Sequence, residues 1–292
     1  MTSTPWTATS GANTIGSVAR TALWTAAARA RESSRPDRLF TDPLAARLAG
    51  REGPELLRHF HTRHAADEGN PFLAVRTRWF DDFLTAPDGP DVRQVVGLGA
   101  GLDARAIRLS WHEGTTLFEV DQADLLAYKE ERLRESGLRA RCARRVVPAD
   151  LAGDWVSALL DAGYRPDEPS VWFAEGVLFY LPERLAHSVL EQVGTVCAPG
   201  TRLAVDLIGT GVFRLPYTRE FLDRLAEAGS PWQFGTDDPA GFLSGCGWHV
   251  DVVTEPGFPD AAYGRWPRRA NPADLPGLPR SYLAAAHLPD AG

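Results

Sequence analysis

Cysteine is scarce in this chain: Cys142, Cys197 and Cys246 are the only three among 292 residues. They are odd in number and far apart, which excludes a CxxC metal spacing and a disulfide framework and points to a reducing, cytoplasmic setting. Long apolar runs are missing too. Nothing approaches the ~20 residues that cross a bilayer, so no membrane partner is expected. No basic segment followed by an apolar one reads as a secretory signal near the N-terminus. Lys and Arg never occur more than two in a row, Lys129 is the single lysine, and the formal net charge is −7. A surface that follows phosphates needs clustered positive charge, so nucleic acid is not expected as a partner. Metal spacing is thin as well. His61 and His64 stand three apart with His59 nearby, but no further ligand accompanies them; they read as surface histidines, and no metal is expected.

What is present is an ordinary globular composition, 44% hydrophobic and 24% charged, in a chain long enough for one large α/β domain with an appended cap. Helical periodicity comes first. Residues 15–30 place Val18, Leu23, Ala26 and Ala27 on one face until Ser33-Ser34-Arg35-Pro36 stops the pattern. Thr41-Asp42-Pro43 starts a short helix, since Asp caps and proline fits the first turn. Another is expected over 54–64. Phe72, Val75, Trp79 and Phe83 then recur at helical spacing over 72–84, with Arg76 and Arg78 among them. A helical extension over 1–90 is therefore expected ahead of the first strand, packed over the carboxyl ends of the strands so that it closes a ligand crevice.

From residue 91 to 292 the pattern alternates as a parallel sheet requires. Strands are predicted at 94–98, 116–120, 145–148, 170–175 and 202–207, with helices between them over 103–109, 122–136, 153–162 and 183–197. An insertion over about 209–245 holds an amphipathic helix at 217–229 and a short one at 239–245, and strands at 248–253 and 282–287 close the chain. The expected class is α/β: a seven-stranded, mostly parallel, Rossmann-like sheet with helices on both faces, its last two strands running against each other.

The chemistry gathers at strand ends. Val95-Val96-Gly97-Leu98-Gly99-Ala100-Gly101-Leu102-Asp103 is an apolar strand followed by a glycine turn. A dinucleotide fingerprint, G-x-G-x-x-G/A, needs a small third residue. Leu102 stands in that place, which favours a ligand without a pyrophosphate; a plain strand-to-helix connection is the alternative. Asp121 ends the second strand, where a carboxylate can accept from two ribose hydroxyls. Glu119, two residues earlier, reads rather as a solvated strand-end acid. Asp150-Leu151, after the third strand, suits an adenine, the acid accepting from the exocyclic amino group and leucine covering the ring; a helix N-cap is the equal alternative. Glu175 and Gly176 end the fourth strand. A charge there is costly without a partner, and the partner is either a ligand ammonium or an arginine such as Arg76 or Arg105. Arg76 itself lies in an apolar helix face, so its fork needs a fixed anion, a ligand carboxylate or an ion-paired side chain. Together these acids select a sulfonium nucleoside, S-adenosyl-L-methionine, over a dinucleotide.

The chain resembles the leucine carboxyl methyltransferase-like family, and especially its bacterial polyketide O-methyltransferase branch. The resemblance rests on Thr21-Ala22-Leu23-Trp24, Arg38-Leu39-Phe40-Thr41-Asp42-Pro43, Val75-Arg76-Thr77-Arg78, the glycine turn through Arg105, Phe118-Glu119-Val120-Asp121-Gln122 and Ala174-Glu175-Gly176-Val177-Leu178. It implies a class I methyltransferase fold. It also implies that Arg76 takes the cofactor carboxylate, Gly99, Ala100 and Gly101 the methionine backbone, Asp121 and Gln122 the ribose side, Asp150 and Leu151 the adenine, and Glu175 with Gly176 the ammonium end. Gly97 departs from the family, in which a bulkier apolar residue is common, and Ala104 stands where threonine is frequent.

The expected activity is methyl transfer from S-adenosyl-L-methionine, leaving S-adenosyl-L-homocysteine, to a carboxylate of a small molecule such as a polyketide-type product of secondary metabolism. A carboxylate is ionised near pH 7, so alignment and water exclusion suffice. Arg20, Tyr217 and Arg219 are candidates to orient the acceptor. A phenol acceptor would need a base, and no histidine is evidently placed for it. A nicotinamide-dependent oxidoreductase and a non-catalytic cofactor-binding protein are the readings from other classes.

Overall fold

The computed structural model describes residues 17–60, 71–86, 92–265 and 279–289. Four helices precede the sheet: α1 (Ser17–Ser33), α2 (Ala45–Ala49), α3 (Glu52–Phe60) and α4 (Phe72–Thr85). The inward residues expected of the first helix are buried at Leu23, Ala26 and Ala27; the side chain of Val18 and residues His61 and His64 lie outside the described set. The helix expected from Asp42-Pro43 begins later, at Ala45 with Leu44 in the N-cap place, and Asp42 closes the turn ahead of it, its carboxylate accepting from the Leu44 and Ala45 N–H groups at 3.1 and 3.0 Å.

The sheet follows from alternation. Strands β1 (Gln94–Leu98), β2 (Thr116–Asp121), β3 (Ala143–Pro148), β4 (Ser170–Ala174), β5 (Arg202–Ile208), β6 (His249–Thr254) and β7 (Ser281–His287) form one sheet in the order β3-β2-β1-β4-β5-β7-β6. The first five pair in parallel; β7 is antiparallel to both β5 and β6. Side chains of a strand point alternately to its two faces. Val96, Leu98, Phe118, Val120, Trp172 and Val205 accordingly pack one side, against α7 (Trp155–Asp161) and α8 (Glu183–Val196). Val95, Leu117, Val171, Phe173 and Ala204 pack the other, against Val75, Trp79 and Phe80 of α4.

The helix predicted over 103–109 shrinks to α5 (Arg105–Arg108), because Ala104 offers no capping side chain and Asp103 is committed to Arg105. The next, α6 (Ala123–Ser136), runs as expected. After β5 come α9 (Gly211–Arg214), α10 (Pro216–Glu227) and α11 (Pro239–Gly245).

Two departures have packing reasons. Leu102 fills the place of a small residue because α1 and α2 pack over the glycine turn: Leu102 is buried with Leu23, Ala26, Leu44 and Leu48, and its carbonyl accepts from Arg29 Nη2 at 2.6 Å. Gly97 sits opposite Phe173 across the β1–β4 pair, and a Cβ there would come within 2.6 Å of the ring. Phe173 in turn lies 5.4 Å from the Arg105 guanidinium, so glycine makes room for the ring that covers a buried cation. The variant Gly97→Ala is expected to lose about 1–3 kcal/mol of stability through overpacking, read as a lower midpoint in urea unfolding. An unchanged midpoint would mean that Phe173 has space to move.

Candidate functional site

Strand order reverses between β1 and β4, since the chain winds outward from β1 to β3 and then returns to the opposite side of β1. In such sheets the loops leaving the two strands part at their carboxyl ends and open a crevice. Here the two loops touch. Gly99, at φ +59°, lies so close to Val177 that a Cβ would approach its Cγ2 to 2.2 Å. Gly101 (φ +47°) donates its N–H to Asp121 Oδ2 at 2.6 Å, and the Gln122 N–H donates to Oδ1 at 2.7 Å. Burial pushes the Asp121 carboxyl above its ordinary range, while these two N–H groups hold it down. Each of its oxygens retains a lone pair, enough for two vicinal hydroxyls. Ala100 ties the turn back to β2 through its N–H and the Val120 carbonyl, 3.1 Å, and exposed Gln122 stands just before α6.

The other wall is a buried charge cluster. Arg76 of α4 donates from Nε to Glu175 Oε1 at 3.0 Å and from Nη1 to Asp206 Oδ2 at 2.9 Å. Arg105 is 1% exposed and meets Glu175 at 2.7 Å, Asp81 at 2.8 Å, and Asp103. Arg108 completes the set on Asp81 at 2.5 Å. Arginine thus satisfies Glu175 from two sides, and the alternative partner foreseen for it is present. Burial opposes charge on Glu175, but Arg105 and Arg76 hold its carboxyl below the ordinary range. Burial raises Asp206 despite Arg76 and the Gly176 N–H at 2.6 Å.

Asp103 follows the same competition to a different end: burial pushes it up, and Arg105 pulls it further down, to about 2. A carboxyl lowered on folding contributes stability above its unfolded pKa, which is lost as pH falls through the folded one. Of order 2 kcal/mol rides on Asp103 by this linkage. The expected result is a stability loss between about pH 4 and pH 2 that Asp103→Asn makes shallower, measured by urea unfolding across that range. Parallel curves for the two proteins would remove Asp103 from the acid response.

One expectation needs correcting, and one of the two readings left open falls away. Glu119 is not a solvated acid: it is 1% exposed and holds Lys129 at 2.7 Å and Arg144 at 2.6 Å, because its strand is covered by α6. Asp150 is not a helix cap. Asp154 caps α7 by accepting from Ser157 N–H, while exposed Asp150 accepts from Ala152 N–H at 2.9 Å, beside buried Leu151. Asp206 and Asp81 were missed; a lone acid inside the apolar strand Leu203-Ala204-Val205-Asp206-Leu207 was the available signal for the first.

Of the acceptor-orienting candidates, Arg20 and Arg219 do not reach this cluster among the described residues. Arg20 pairs with Glu52 at 3.3 Å, Arg219 is exposed on α10, and the Tyr217 side chain lies outside the described set. Aromatic rings instead join the cap to the insertion. Trp24 lies 5.1 Å from Phe60 and 5.9 Å from Phe221, and Phe221 lies 5.0 Å from Trp232, itself 4.5 Å from Phe179. The Trp24 indole N–H is buried with no acceptor among the described residues.

The residues fit an amino-acid nucleoside with a sulfonium. Three arginines, Arg76, Arg105 and Arg108, face four carboxylates, Asp81, Asp103, Glu175 and Asp206, which leaves one negative charge for a cationic ligand to offset. The described hydrogen bonds of Arg76 use Nε and Nη1. A Cβ at Gly176 would stand 3.2 Å from each Nη atom, so glycine leaves room beside the buried guanidinium.

A family model described as leucine carboxyl methyltransferase matches residues 22–194. A relative from Parafrankia sp. (strain EAN1pec), named an S-adenosyl-L-methionine-dependent methyltransferase, is 49% identical over 65% of this chain and 63% of its own length. One from Frankia alni, similarly named, is 42% identical over 84% of this chain and 87% of its own. A crystal structure of a DUF574 family protein from Streptomyces avermitilis superposes with a TM-score of 0.59 over 91% of this chain and 97% of that one, at 13% identity. Likeness at that identity speaks for the fold alone.

Proposed function

The chain belongs to the leucine carboxyl methyltransferase family and is an S-adenosyl-L-methionine-dependent methyltransferase of class I fold, and on that premise we propose that it methylates an oxygen, a carboxylate of a small polyketide-type acceptor. The observation that carries the cofactor half is the Asp121 carboxylate at the switch point, held by the Gly101 and Gln122 N–H groups of the glycine turn and of the start of α6 with a lone pair left on each oxygen. When bound, the cofactor supplies an electrophilic sulfonium methyl. Asp121 holds the ribose hydroxyls, with Gln122 beside it; Asp150 and Leu151 frame the adenine; Arg76 takes the carboxylate through its guanidinium and Glu175 the ammonium. Gly99 and Gly101 let the backbone approach the methionine part, and Gly176 keeps the arginine face clear.

For the acceptor half, the support is the aromatic cluster of Trp24, Phe221, Trp232 and Phe179 between the cap and the insertion, rings of the kind a planar acceptor packs against. The buried Trp24 N–H is a donor that an acceptor oxygen would satisfy. A carboxylate arrives ionised and needs no base; the protein's part is to align it and exclude water. The test is incubation with methyl-labelled cofactor and a panel of aromatic carboxylic acids and phenols. Base-labile ester is the expected product, and label recovered only in ether would overturn the carboxylate.

A further inference from the structure

Away from the crevice, at the far edge of the sheet, we infer a binding site for a divalent transition-metal ion, built by His249 and Asp251 of β6 with His287 of β7. The antiparallel register sets His249 directly opposite His287, where cross-strand Cβ atoms stand roughly 4.5–5.5 Å apart, and the two imidazole centroids are 4.8 Å apart. Between Val250 and Val252 the register shifts, so Asp251 is the extra residue of a β-bulge. A bulge re-aims a side chain, and this one brings the Asp251 carboxylate to His287 Nδ1 at 2.8 Å. One ligand atom from each of the three residues falls within 4.8 Å of the others.

Two imidazoles and a carboxylate form a borderline set that takes Zn2+ rather than Mg2+ or Ca2+, and three protein ligands leave one coordination position for water. Tetrahedral zinc, with bonds of roughly 2.0–2.1 Å, needs ligand atoms about 3.3 Å apart. The widest pair must close by up to about 1.5 Å and the Asp251–His287 pair must open slightly, which exposed side chains such as His249 and Asp251 can supply by rotation. An open depression of about 280 Å³, lined by Asp251, His287, Gly200, Arg202 and Leu288, gives the ion a way in from solvent. The ion would pin the edge strand β6 to β7. Charged and polar groups with a bulge also blunt an edge against pairing with other chains, but that purpose does not require two histidines placed opposite each other with an acid between them.

The test is equilibrium dialysis of the untagged, metal-stripped full chain against Zn2+, with thermal unfolding at rising Zn2+. One saturable site and a Tm that climbs with Zn2+ are expected. His249→Ala and His287→Ala should each weaken binding at least about tenfold and remove the climb, and cofactor binding should be unaltered. Asp251→Asn should weaken binding while keeping the edge strand folded. The inference is overturned by absence of saturable binding, or by binding that both histidine variants leave unchanged. Neither outcome touches the methyltransferase reading, whose assay is independent of this edge.

Discussion

Replacing Arg76 by alanine is expected to abolish measurable binding of S-adenosyl-L-methionine and to cost about 3–5 kcal/mol of stability. Both losses have one origin. Arg76 is 6% exposed and neutralises Glu175 and Asp206, which have little water to turn to once it is gone. Burial already lifts Asp206 above the ordinary carboxylate range in the presence of its arginine, so truncation leaves an uncompensated charge and not merely a missing contact. Arg76→Lys keeps the charge but not the planar fork that serves two carboxylates and a third anion at once; it should recover part of the stability and little of the affinity. Denaturant unfolding and calorimetric titration separate the two effects. Should Arg76→Ala bind the cofactor normally in conditions where it stays folded, Arg76 is a structural ion-pair partner and its assignment to the cofactor falls.

Asp121→Asn is expected to raise the cofactor dissociation constant about 100-fold, from two charge-assisted hydrogen bonds weakened by one to two kcal/mol each. The change in stability should stay within about 1–2 kcal/mol. The amide removes a charge that burial disfavours, but it can accept from only one of the Gly101 and Gln122 N–H groups that now bond the carboxylate. The decisive measurement is a double cycle with a cofactor analogue lacking the 2′-hydroxyl. The analogue should bind much more weakly than the cofactor to the wild type and almost equally to Asp121→Asn. Equal penalties in the two proteins would show that Asp121 shapes the glycine turn without touching the ribose.

The strands were legible because local pattern decides them. Gln94–Leu98 and Ser170–Ala174 are short, nearly continuous apolar runs, as strands buried on both faces of a parallel sheet require, and the expected 94–98 was reproduced to the residue. The glycine turn was legible for the same local reason. Helix ends were less so: the helix expected from 54 begins at Glu52, with 61–64 outside the described residues, and 103–109 became Arg105–Arg108, since a cap depends on what a side chain finds elsewhere. Glu119 was misread because an acid at alternate spacing looks solvated until Lys129 and Arg144 are folded against it. The edge trio was out of reach altogether, as it depends on a register and a bulge joining Asp251 to His287 across 36 residues.

By itself the sequence determined the alternation of strands and helices, the glycine turn after β1, and the acids that end β2 and β4. Each is written within a dozen consecutive residues, where backbone period and steric freedom act. Only the tertiary structure decided how those acids are held. Arg76 reaches Glu175 across 99 residues and Asp206 across 130; that a cap helix, and not solvent, supplies the countercharge follows from burial, because a charge removed from water must find its partner wherever the fold places one.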